Sequence, residues 1–151
     1  MKKLVLMVLF MASALGSKAS ANSAQGLIEQ LKSLNGATGR VASNVEKEST
    51  GVCKVAVTED DYGVSVSFEG TGLYFTPIAH ISSDATLEDN NTLLISTNPN
   101  RVGGDVCGDW GGAVRYKKTI SLEKNVIKIS ESFRCSLEGF KKYNLISACV
   151  L

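Results

Sequence analysis

Two runs near the C-terminus, AVRYKKTISLE (Ala113 to Glu123) and NVIKISESF (Asn125 to Phe133), alternate apolar and polar residues with a period of two. Val114, Tyr116, Ile120 and Leu122 share one face of the first run, and Ile127, Ile129 and Phe133 share one face of the second. Side chains of an extended chain point alternately to opposite faces, whereas a helix repeats every 3.6 residues. The pattern therefore demands strands with one buried face, and Glu-Lys-Asn between them folds the pair into a tight hairpin. The same period runs through VCKVAVT (Val52 to Thr58), GVSVSFE (Gly63 to Glu69), TLLIST (Thr92 to Thr97) and KYNLISACVL (Lys142 to Leu151). Turn clusters EDDYG, EGTG and EDNN separate the runs. Short strands at this spacing predict an all-β fold, mainly antiparallel, of about seven or eight strands in a small barrel or sandwich.

One run departs from simple alternation. LYFTPIAHI (Leu73 to Ile81) is apolar on both faces, with Leu73 and Phe75 on one and Tyr74 and Ile78 on the other. That suits either a central buried strand or the wall of a ligand cavity. Pro77 has no N–H to give a ladder, so the second half is expected at an edge, a bulge or a break.

Ahead of the β region, SAQGLIEQLKSLNG has helical spacing, with Leu27, Ile28, Leu31 and Leu34 on one stripe. Ser23 is placed to cap its start and Asn35-Gly36 to stop it. Its apolar stripe is expected to dock on the β body. Lys2 and Lys3 precede the apolar run LVLMVLFMA, and Ala19-Ser20-Ala21 forms an A-x-A site. That is the pattern of a secretory signal peptide, and the apolar run is short for a spanning helix. The expected organisation is a signal peptide over 1–21, an N-terminal amphipathic helix over 22–36, a connector over 37–51 with a short strand around Val41, and an antiparallel β domain over 52–151. The Lys-Lys leader is of bacterial type, so the protein is expected in the periplasm or outside the cell. Nothing after Ala21 is long and apolar enough to span a bilayer as a helix. The chain ends in Val150-Leu151 rather than the aromatic residue usual for outer-membrane barrels, so an integral membrane protein is not expected.

Four cysteines in an exported chain read as two disulfides with three possible connectivities. No C-x-x-C occurs, and His80, the only histidine, is remote from every cysteine, so no zinc site is expected. The tight turn near Lys124 brings Cys135 back towards Gly112, within reach of Cys107. The last hairpin sends Cys149 away from Cys135. If the first and last β-domain strands pair, Cys53 meets Cys149. The expected bonds are therefore Cys53–Cys149 and Cys107–Cys135.

A net charge of +1, from 16 basic and 15 acidic residues, leaves no basic stripe for nucleic acid. No nucleophile lies in a G-x-S-x-G context, and a lone histidine at a strand end is ordinarily hydrogen-bonded or solvated. The acids of Glu59-Asp60-Asp61 and Glu88-Asp89 sit where turns are expected and favour backbone capping there. The stretch GGDVCGDWGG (Gly103 to Gly112) holds five glycines and the only tryptophan. It matches neither nucleotide-loop nor EF-hand spacing, which leaves an irregular calcium loop as its one metal reading. The preferred reading is a loop pinned by Cys107, with Trp110, Asp105, Asp109 and Arg101 as candidate binding residues. No cofactor or metal is called for. The expected function is a small exported, non-catalytic binding protein, taking a protein partner or a small apolar ligand through its loops or barrel mouth. An envelope-associated structural or interaction protein is the alternative, and a carboxylate-dependent hydrolase ranks last.

Overall fold

A computed structural model of the chain describes residues 23–43, 51–70, 78–98, 107 and 113–151. Among these residues, helix α1 (Ala24–Ser33) is followed by nine strands: β1 (Thr38–Ser43), β2 (Val52–Asp60), β3 (Gly63–Gly70), β4 (Ile78–Ser82), β5 (Thr86–Asp89), β6 (Thr92–Ser96), β7 (Ala113–Glu123), β8 (Val126–Cys135) and β9 (Lys141–Val150). They form one sheet in the order β4-β3-β2-β1-β9-β8-β7-β6-β5. All neighbours are antiparallel.

An even number of antiparallel steps separates the two edge strands, so β4 and β5 run the same way. Only Ser83 to Ala85 lie between them. The chain leaves β3 along β4 and meets β6 along β5 without reversing, and β4 comes close to β6. The sheet thus curls round its interior, but among the described residues no hydrogen-bonded ladder joins its edges.

The interior is filled from all sides. Val55, Val66 and Phe68, Ile81, Leu93, Ile120 and Ile127 are fully or almost fully buried from six strands. Leu27 and Leu31 of α1 enter the same cluster, each 0% exposed. Ser23 caps the helix as its spacing predicted, its Oγ accepting from Gly26 N at 3.0 Å. Gly36 N donates to Val55 O and Asn35 Oδ1 accepts from Val57 N, which ties the helix exit to β2. Lys32 adds an ion pair to Glu59 at 2.7 Å. Because the helix fills the core, Leu31→Ala is expected to lower unfolding stability by about 3 kcal/mol. Urea denaturation measures this, and a loss under about 1 kcal/mol would mean a peripheral helix.

The alternating strands form as read, but four details differ. The short strand expected around Val41 is a six-residue strand, β1, at the middle of the sheet between β2 and β9. Its polar, small sequence gave little signal, because among its described side chains only Val41 enters the core. β5, unanticipated, is a four-residue edge that among the described residues pairs with β6 alone. On β7, the register shifts between Val114 and Lys117, with Arg115 at φ 53°. That bulge puts Ala113 inside in place of Val114. Ile78, read as part of one face of a run apolar on both, is 52% exposed, and Ala79 and Ile81 are the side chains that enter the core. β4 after Pro77 is an edge strand, as a missing donor predicted. Leu73 to Phe75 lie outside the described residues.

Both expected disulfides are present, Cys53–Cys149 and Cys107–Cys135. The route to the first differs from the one read from sequence, since β1 stands between β2 and β9. Gly39 pairs with Cys53 on one side of β1, and Val41 with Cys149 on the other. Strands two apart in a flat sheet are separated by about 9.5 Å. The Cα atoms here are 5.9 Å apart, so the sheet folds sharply about β1.

Strand directions assign the turns to ends. The β2–β3, β5–β6 and β7–β8 turns lie at the end that α1 caps; the β8–β9 turn and Cys107 lie at the other.

Candidate functional site

The end away from the helix is built on the inner faces of β7, β8 and β9. Phe133 and Tyr143 are directly opposite across β8 and β9. Their rings stack at 5.5 Å between centroids, 17° from parallel. Tyr116, Ala113 and the buried Cys107–Cys135 bond complete this second apolar cluster, with Leu145 packed against it. Outside it, the Tyr143 hydroxyl bonds to the Glu138 carboxylate, and Lys141 Nζ stands 5.0 Å over the Tyr143 ring. A hydrogen bond to Tyr143 and the nearby Glu138 carboxylate hold the Lys141 ammonium above its ordinary pKa.

Between this cluster and the main core lies an ion pair. Lys118 and Glu131 are opposite each other on β7 and β8, one inward step beyond the buried Ile120–Ile129 pair. Their charged atoms are 2.5 Å apart, with side chains 18% and 25% exposed. Two charges on an inner face divide a packed interior from an aromatic end. Neutralising one partner would leave the other half-buried and unpaired, which costs more than the pair itself contributes.

The tip of the β8–β9 hairpin carries the least ordinary residue. A 3-10 turn over Ser136–Glu138 leads to Gly139 at φ 65° and Phe140 at φ 62°. Left-handed backbone is unfavourable for a bulky side chain. Phe140 is nevertheless 56% exposed to solvent, so core packing does not hold it there. Its N–H donates to Cys135 O at 3.0 Å, and Arg134 Nη1 reaches its carbonyl at 3.5 Å. The exposed Lys141 and Lys142 follow immediately.

Trp110, Asp105, Asp109 and Arg101 lie outside the described residues. Cys107, described within that segment, is 7% exposed and bonded to Cys135. Phe140 went unremarked in the sequence because exposure and backbone sign have no periodic signature. The ion pair did leave a trace: Lys118 and Glu131 occupy the gaps in the inward series of β7 and β8.

The other polar groups singled out in the sequence sit elsewhere. His80 Nδ1 lies 2.9 Å from Ser65 Oγ, directly across β3 and β4 on the outer face. Asp60 Oδ1 accepts from Tyr62 N and Gly63 N, closing the β2–β3 turn. Asp89 Oδ1 accepts from Asn91 N at 2.8 Å in the β5–β6 turn, while Glu88 pairs with Lys117. That backbone bond, aided by Thr92, holds the Asp89 carboxyl below its usual pKa of 3.8. Among the described residues no cluster of three or more His, Cys, Asp or Glu is placed to hold a metal ion, and no helix is long and apolar enough to cross a membrane. Compared with known protein families and with curated protein sequences, the chain matches none.

Proposed function

We propose that this chain is a small exported, non-catalytic binding protein that docks a protein partner through the disulfide-tethered end of its sheet. Phe140 carries the reading. Strained backbone and an exposed aromatic both work against stability, and residues of this kind collect at recognition sites. Aromatic side chains are also enriched among interface hot spots. The tip is anchored on one side by Cys135, and the segment holding Trp110 is anchored at the same bond through Cys107. The two disulfides suit an oxidising compartment. A partner is favoured over a carried apolar ligand because α1 and the strand side chains fill the main interior.

Phe140→Asn separates fold from function. Asn tolerates left-handed backbone better than Phe, so stability is expected to hold or rise by about 0.5–1 kcal/mol. Capture of an exported partner on immobilised protein is expected to fall at least tenfold. Trp110→Ala is the second arm and is expected to weaken the same capture. Equal capture by wild type and Phe140→Asn would remove the hairpin tip from the proposal. A small molecule retained in native mass spectrometry of protein from its own host would favour the ligand reading instead.

A further inference from the structure

At the opposite end, and independently of the hairpin tip, one buried hydroxyl has no partner. Ser121 on β7 is 3% exposed, and its Oγ makes no hydrogen bond. It lies on the outer face, directly between Thr92 of β6 and Lys128 of β8. Side chains directly opposite have Cβ atoms about 5 Å away, so these two neighbours shield it. Burying a polar group without a partner is unfavourable, and alanine at the same position would avoid that cost.

Ser121 also lines a cleft of about 530 Å³. Small-molecule clefts run from about 300 to 1,000 Å³. The register builds its floor, since Val126 and Lys128 stand opposite Glu123 and Ser121. Asn91 of the β5–β6 turn and the Lys124-Asn125 turn of β7–β8 form the rim. The chemistry is mixed: two ammonium groups, one carboxylate, two carboxamides, a hydroxyl and one apolar patch.

We propose that this cleft binds a hydroxylated carboxylate of monosaccharide size, of the uronate class. Lys128 and Lys124 match the ligand carboxylate. The Asn91 and Asn125 amides match ring hydroxyls, each able to donate and accept. Val126 offers a surface for the C–H face of the ring. Glu123 accepts from a hydroxyl but repels a compact dianion, which sets the site against phosphate. Ser121 gains its missing partner when the flexible Lys128 arm turns from the hydroxyl to the ligand.

The test is a titration of the purified protein, isotopically labelled for NMR, with sodium glucuronate. Glucose and inorganic phosphate are run in parallel. Saturable shifts at Ser121, Asn125 and Lys128 with a Kd of order millimolar are expected for glucuronate. Ser121→Ala is expected to weaken binding about tenfold while its melting temperature stays level or rises. Lys128→Met is expected to weaken it by a similar factor. Neither substitution changes partner capture at the Phe140 tip, so the two proposals fail separately. The proposal is overturned by any of three results: no saturable shift up to about 100 mM, well beyond a millimolar Kd; unchanged binding by Ser121→Ala; or phosphate or glucose binding as well as glucuronate.

Discussion

Replacing Cys53 and Cys149 together by alanine is expected to lower unfolding stability by about 4–5 kcal/mol, enough to unfold much of a marginal domain at 37 °C. The bond closes a loop with a sequence separation of 96, against 28 for Cys107–Cys135. On the chain-entropy account the second bond contributes about 3.5 kcal/mol. The first loss is larger for a structural reason too. Cys53 and Cys149 are both 0% exposed within the main core, and their bond spans the sharp fold about β1. Cys107–Cys135 belongs to the smaller aromatic cluster at one end. Urea denaturation of both double variants gives the comparison. If Cys107→Ala/Cys135→Ala proves the more damaging, the aromatic end rather than β1 organises the fold.

Gly39→Ala is expected to cost about 3 kcal/mol or more, although it adds a single methyl group. A Cβ at Gly39 would lie 2.2 Å from the Val150 carbonyl oxygen and 2.7 Å from its carbon. Those are backbone atoms of β9, so no rotamer change relieves the overlap. The sheet must open at β1, where β2 and β9 are drawn together by the Cys53–Cys149 bond. Gly36→Ala is the companion. Nothing lies within 4 Å of its Cβ position, but its φ is 83°, so only a backbone penalty of about 1 kcal/mol is expected. Thermal unfolding of the two proteins tells steric from conformational cost. Equal losses would mean that β1 does not approach β9 so closely.

Legibility along the chain follows burial contrast. β7 and β8 could be read because Ile120, Ile127 and Ile129 face a dry core while Lys128 and Ser130 face outward. Helix α1 was equally plain, since Leu27 and Leu31 are the two side chains it buries completely. β1 was nearly invisible: its Thr38 and Arg40 side chains are exposed, and its place is held by ladders on both sides. β5 is shorter still and buries no side chain completely. Of the candidate site, sequence reading found Cys107 and its partner Cys135. It missed Phe140, whose interest lies in a backbone angle and an absence of cover.

The sequence by itself determined that this chain makes an antiparallel β body with one docked helix and two bonds, because side-chain period, turn residues and cysteine count are local properties. Only the tertiary structure decided that β1 enters the sheet between β2 and β9, that β4 comes close to β6 without a ladder between the sheet's edges, and that a hydroxyl at Ser121 is sealed without a partner. Those facts depend on which strand lies beside which. Pairing is settled by the summed packing of distant residues, to which no short stretch of sequence has access.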